Sequence, residues 1–349
     1  MNDLRFSLPC VLVMLAGLTG CSPAPSRYEY AHRQMGTSFR LIFYAGREEA
    51  ARDAAAAAFA RIDELNAVFS DYEASSELSQ LSRTAGSGRA VPVSADMWFV
   101  LNEAQRMSRL SGGALDITVG PYVRLWRRSR RQGRLPSAAR ITQTRQSVGF
   151  DKIEFHPDTR SVRLVAEGML LDVGAVAKGF AADQALAVLR RRGLGRALVD
   201  AGGDVAAGDP PPDRPGWWVT LRPMVNREVA EAGDPPRIEI RGTAVATSGD
   251  AFGYVEIDGV RYSHILDPAT GLGLTDRIAV SAVAPDGLTA DALASAVSVL
   301  GLPRGLALAD ALPGCSVLVV RRGAGGRIET HRSAGFPELV IPTGDSAPP

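Results

Sequence analysis

Between residues 48 and 69 apolar side chains recur every three or four positions, and Ala58, Ile62, Leu65 and Val68 fall on one face of a helix that should stop at Ser70-Asp71. The same period returns in residues 95–110, closed by Gly112-Gly113, in residues 175–192, closed by Gly193, and in residues 289–300. Elsewhere the period shortens to two. Residues 38–44 alternate as a strand does, and strands also fit 164–172, 197–200, 217–222, 238–241, 278–284 and the apolar run 314–320. Tyr262-Ser263-His264-Ile265-Leu266 alternates in the same way until Asp267-Pro268-Ala269-Thr270-Gly271 imposes a turn.

Strands interleaved with packed helices, without a detectable repeat, predict an α+β fold. Prolines and aspartates pile up at 208–215 and 233–236, but strand-like segments resume on both sides, so these read as long hairpin loops. One domain is expected over residues 28–343, with a short tail at 344–349. Ahead of it, Arg5 and an apolar run over 8–18 have the form of a secretory signal, too short to span a bilayer. The run ends in Leu18-Thr19-Gly20-Cys21, which resembles a bacterial lipobox. On that reading residues 1–20 are removed, Cys21 is lipidated, and 21–27 form a tether; an ordinary secretory signal with an accidental cysteine is the plainer alternative. Several acyl chains on Cys21 would anchor the protein stably to a membrane, where one chain would not.

Cysteine usage fits this picture. Cys10 would leave with the signal and Cys21 would be acylated, so Cys315 is left without a disulfide partner and reads as a small buried hydrophobe. The formal charge of +1 gives no case for nucleic acid, and the cluster Arg127-Arg128-Ser129-Arg130-Arg131 reads as a solvated loop or helix end.

Four places carry residue types suited to chemistry. His264, one of only four histidines, sits one step before the turn at Asp267 and follows Thr247, Ser248 and Asp250 in the chain. Leu171-Asp172-Val173-Gly174-Ala175-Val176-Ala177-Lys178 puts an aspartate at an expected strand end, a glycine in the turn and a lysine at a helix start, where backbone amides favour anions. The glycine spacings of phosphate loops and dinucleotide folds are absent, and a capped helix with a solvated lysine is the alternative. Asp291 and Ser295 lie four apart, so a helix presents both oxygens on one face, a partial shell for magnesium or merely a first-turn acid beside a small packing residue. Leu198-Val199-Asp200-Ala201-Gly202-Gly203-Asp204 runs a strand into a double-glycine turn that lets a ligand or a neighbouring strand come close.

Taken in order, these blocks resemble the FAD:protein FMN transferase family, the ApbE-like flavin transferases. The resemblance runs through Met35-Gly36-Thr37, Phe69-Ser70-Asp71-Tyr72, Leu115-Asp116-Ile117-Thr118, the 172–180 block, Ala201-Gly202-Gly203-Asp204, the 244–250 and 263–271 stretches and Ala290-Asp291-Ala292-Leu293-Ala294-Ser295. It implies a single ApbE-like, T-fold-like domain and a magnesium-dependent periplasmic enzyme. Such an enzyme cleaves FAD and attaches FMN through a phosphoester to a threonine or serine of a target protein, releasing AMP. By position Met35, Tyr72, Ala114, Leu115, Asp116, Asp172, Lys178 and Ile265 match FAD-contacting residues, and Asp291, Ser295 and the Ala175 carbonyl match the magnesium ligands. His264 then suits the base that takes the acceptor proton. The resemblance also implies acceptors among redox-pump subunits and extracytoplasmic reductases; with the charge balance no nucleic acid is expected, and with the lipobox the expected location is a lipid anchor at the periplasmic face of the inner membrane, with the outer membrane left open. Ser295 replaces the family's usual threonine, and Leu115-Asp116-Ile117 its usual Phe-Asp-Pro. A pyrophosphatase using water as acceptor and a non-catalytic flavin-binding lipoprotein are the competing readings.

Overall fold

At the first alternating segment the chain builds a hairpin, β1 (Ser26–Gln34) and β2 (Thr37–Ala45), turned by Met35 and Gly36 with φ of 51° and 74°. Left-handed angles at both positions give a two-residue turn whose twist matches that of the strands. The structure, a computed structural model, describes residues 24–221, 235–249, 253–323 and 326–341. The first described strand starts at Ser26; Cys21 and the signal lie outside the described residues.

Six more strands complete the main sheet: β3 (Ala197–Ala201), β4 (Val205–Ala207), β5 (Ala244–Gly249), β6 (Ile278–Ala284), β7 (Ser316–Arg322) and β8 (Ile328–Arg332). Their spatial order follows the chain, and every neighbouring pair is antiparallel. Helices fill two of the connections. Between β2 and β3 lie α1 (Glu48–Phe69), α2 (Glu77–Ser82), α3 (Ala95–Leu110), α4 (Gly120–Gln132), α5 (Ala138–Arg145) and α6 (Ala177–Arg191); between β6 and β7 lie α7 (Gly287–Leu300) and α8 (Arg304–Asp310).

Alternation along the strands sorts side chains onto two covered faces. Phe39, Leu41, Phe43, Val199 and Val280 enter a core shared with α1, α6 and α7, while Ile42, Leu198, Val245, Val283 and Leu318 meet a second cluster closed by the ribbon 217–220 with 237–240. Burial on both faces explains why β6 is apolar or small at every position. Among the described residues no helix is long and apolar enough to cross a membrane.

Helices α1 and α3 and strand β6 have the bounds that their periodicity predicts. The stretch 164–172 does not form the expected strand: pairing ends at Leu164, a turn with Gly168 at φ 74° follows, and Leu170 makes only an isolated parallel bridge to Val119. Met169 and Leu171 enter the main core without a ladder, while Val165 is exposed. The alternation around His264 is likewise split. Val260–Ser263 pairs with Tyr254–Ile257, Leu266–Asp267 pairs with Leu272–Gly273, and His264-Ile265 is the joint between the two small hairpins. Both hairpins are inserted between β5 and β6.

Candidate active site

Helices α6 and α7 cross where neither has a side chain. A Cβ on Gly179 would lie 2.0 Å from the Gly287 carbonyl oxygen, and one on Gly287 would lie 2.5 Å from the Gly179 oxygen. The crossing is fixed further by Asp183 of α6, whose two carboxylate oxygens accept the Gly287 and Leu288 N–H groups at 2.7 and 3.0 Å. These are unfilled donors of the first turn of α7. Burial pushes the Asp183 carboxyl up to about 7 despite those two bonds.

This crossing brings Lys178 onto Asp291. The Lys178 ammonium lies 3.2 Å from Asp291 Oδ2, 2.9 Å from Asp204 Oδ2 and 3.2 Å from the Gly174 carbonyl. Asp204 and Asp291 are almost inaccessible to solvent, at 4% and 5%. Burial works against the charge on Lys178, but the carboxylates of Asp291 and Asp204 outweigh it and hold the ammonium above its usual range. Burial, then repulsion from Asp291, raises Asp204 to about 7 against the pull of Lys178.

The helix expected from 175 begins at Ala177, because the chain first makes a turn over 173–176. Gly179 N–H, which a regular helix would direct to the Ala175 carbonyl, points to Asp291 Oδ2 at 3.4 Å, leaving that carbonyl outside the helix ladder. Ser295 is half-buried one turn beyond Asp291. A carboxylate, a hydroxyl and a displaced carbonyl are the hard oxygen donors that magnesium prefers, so the donor set fits.

Asp172 stands at the edge of this cluster, where Lys178, Arg127 and Asp71 all act on its charge; burial, only partly offset by the Gly174 N–H, keeps its pKa raised. It follows an irregular segment and is tied to the 115–118 block by its own N–H on the Ile117 carbonyl at 2.8 Å. Asp116 has both oxygens engaged inside the protein, accepting from Thr118 N–H, Thr118 Oγ1 and Phe150 N–H at 2.8, 2.6 and 3.0 Å. Its carboxylate shapes the loop. Leu115 is a core residue and Ala114 is half-buried, so this block meets the site chiefly through its backbone.

Tyr72 is 79% exposed, with the Arg127 guanidinium 4.4 Å over its ring and held there by Asp71 at 2.6 Å. Arg127, set aside in the sequence as part of a solvated cluster, is half-buried on α4 and joins Tyr72 to Asp172. The proline in the first turn of α4 and Gly133 at φ 62° after it are the signals that mark this helix. Met35 is half-buried in the β1–β2 turn, and Thr37 beyond it packs on the double glycine: a Cβ on Gly202 would lie 1.9 Å from Thr37 Oγ1.

His264 is exposed at the joint of the inserted hairpins. Its backbone N–H donates to the Gly253 carbonyl at 2.6 Å, and its Nδ1 lies 2.9 Å from the same oxygen. A carbonyl only accepts, so Nδ1 carries the proton and the lone pair of the neutral ring is on Nε2. Ile265 is half-buried, its N–H on Ser263 Oγ at 3.0 Å and its carbonyl accepting from Leu274 at 2.9 Å. The hairpins are tied to the cluster through β5, where Thr247 donates its N–H to Asp204 and bonds Ser281 across the sheet at 2.9 Å. Of the sequence candidates, Lys178, Asp291, Asp172 and the Ala175 segment come together; Asp204, the last residue of the double-glycine block, joins them in a pairing that its distance in the chain from both partners had hidden.

The sequence signature of the ApbE family matches residues 35–319. The chain belongs to the ApbE family. Among curated relatives, the FAD:protein FMN transferase of Vibrio cholerae is 31% identical over 309 residues, covering 86% of this chain and 89% of the relative. That of Treponema pallidum is 32% identical over 329 residues, 89% of each. Among solved ApbE structures, the flavin transferase of Vibrio cholerae superimposes with a TM-score of 0.78 at 27% identity, over 89% of this chain and 98% of its own. The ApbE protein of Thermotoga maritima gives 0.77 at 29% identity, over 88% and 97%.

Proposed function

We propose that the chain is a magnesium-dependent FAD:protein FMN transferase, which cleaves the FAD pyrophosphate and joins FMN through a phosphoester to a threonine or serine hydroxyl of an acceptor protein, releasing AMP. The observation that carries this is the Lys178–Asp291 pair at 3.2 Å, with the Gly179 N–H directed to Asp291 and not to the Ala175 carbonyl, within a chain of the ApbE family. A pyrophosphate resists attack because its oxygens are already negative, so its cleavage depends on charge neutralisation and alignment. Magnesium held by Asp291, Ser295 and the Ala175 carbonyl would supply Lewis-acid neutralisation of the pyrophosphate. Lys178 adds a fixed positive charge on the same side, and Tyr72 under the Arg127 guanidinium offers a flat surface for a ring of the dinucleotide.

In transfer, the acceptor oxygen bonds to the phosphorus on the FMN side, the bond from that phosphorus to the AMP oxygen breaks, and the acceptor proton passes to His264 Nε2. The Gly253 carbonyl on Nδ1 keeps the ring in the tautomer that can accept it. Acceptors of the redox-pump and extracytoplasmic-reductase type, and anchoring by Cys21 at the periplasmic face of a membrane, belong to the same reading. The test is incubation of the protein with FAD, magnesium and an acceptor domain, followed by intact-mass measurement. The acceptor should gain one FMN less water as AMP appears in equal amount. FMN and AMP released with no adduct would identify a pyrophosphatase, and intact FAD a binding protein.

A further inference from the structure

Asp204 has no part in the chemistry just described, yet it lies closer to the Lys178 ammonium than Asp291 does, 2.9 against 3.2 Å. Its place does not depend on the lysine. It follows Gly203 at φ 108°, its carbonyl accepts the Ala201 N–H at 2.8 Å, and its carboxylate takes the Thr247 N–H. Two buried carboxylates facing one ammonium leave an uncompensated negative charge, an arrangement that burial makes costly. The cost has a use if a second cation is to enter. An ammonium on Asp291 Oδ2 competes directly with any metal for that carboxylate.

Resting on the magnesium assignment above, we infer that Asp204 is a positioning residue that retains the Lys178 ammonium when magnesium takes Asp291, so that lysine and metal occupy the site together instead of competing for one carboxylate. With Asp204 ionised the three side chains carry a net charge of minus one, which magnesium converts to plus one opposite the pyrophosphate. Without Asp204 the lysine falls wholly on Asp291, and the metal must displace it.

The experiment titrates magnesium by calorimetry into the protein saturated with ADP, a probe that carries the pyrophosphate but no flavin to transfer. Asp204→Asn, which keeps an acceptor for Thr247 N–H, should bind magnesium about tenfold more weakly. Asp204→Asn combined with Lys178→Met removes both the holder and the competitor, and should return the affinity to within about threefold of the parent. Lys178→Met alone should bind at least as tightly as the parent, which keeps the test open if Asp204→Asn does not fold. Parental affinity in Asp204→Asn, continued weakness in the double variant, or weakened binding in Lys178→Met overturns the inference. Asp291→Ala separates the two levels: if it retains parental magnesium affinity the metal assignment itself fails, whereas loss there with no effect at Asp204 fails only the role given to Asp204.

Discussion

In the proposed reaction two side chains divide the chemistry, and they are held in different ways. Lys178 is fixed by charge from several directions inside the domain, while His264 lies at the surface, where the Gly253 carbonyl accepts from both its backbone and its ring. Removing the imidazole should therefore leave the dinucleotide site intact. For His264→Ala we expect flavinylation to fall by at least about a hundredfold, with FAD affinity, read from quenching of flavin fluorescence, essentially unchanged. A parental rate of transfer would rule out His264 as the base. At this scale the sequence is informative wherever a functional group lies near its partners in a motif: Asp172, Ala175 and Lys178 share one turn and helix start, and Asp291 and Ser295 share one helix face. Asp204 and Arg127 are legible only once the fold brings them to Lys178 and Tyr72, because nothing in their local spacing names those partners.

The α6–α7 crossing sets the separation on which Lys178 and Asp291 depend. Gly179→Ala would drive a methyl into the Gly287 carbonyl, and neither backbone can yield without parting the helices. We expect a loss of about 1–3 kcal/mol in denaturant unfolding, together with weaker magnesium binding; an unchanged midpoint would mean that the helices are free to slide. Asp183 caps the same crossing with a pKa of about 7, above the ordinary value of 3.8. Between those values the folded protein binds a proton that the unfolded chain does not, so this group's contribution is fully present at low pH and is lost as pH rises toward 7. Asp183→Asn cannot titrate. Measured by thermal melting, the parent's advantage over Asp183→Asn should shrink from pH 5 to pH 8, and a growing advantage would reverse the assignment. Elements with a strong pattern have the bounds the sequence predicts, α1 and α3 because one buried face dictates them and β6 because both its faces are buried. The 164–172 run misleads because Met169 and Leu171 are buried in the core from an irregular segment and so look like a strand, and α4 escapes because its arginines obscure the apolar face of Tyr122 and Trp126.

Over the whole molecule, the first strand starts at Ser26, five positions after Cys21, so a lipid on that cysteine would keep the domain close to its membrane. Cys21→Ser should move the protein from the membrane fraction to the soluble fraction while leaving flavinylation of a soluble acceptor unchanged; retention in the membrane would point to another attachment. The mixed α+β class was readable from the interleaving of periods, but the order of the sheet was not, because antiparallel neighbours separated by the 151 residues between β2 and β3 carry no local signature. That order has a further consequence. The segment bearing His264 leaves from β5 and returns to β6, two strands already joined to each other along their length and by the Thr247–Ser281 bond. It can be exchanged for the corresponding segment of a relative without breaking a single described rung of the main sheet, so the part of the chain that carries the proposed base can be grafted while the strands that hold Asp204 and Thr247 stay as they are.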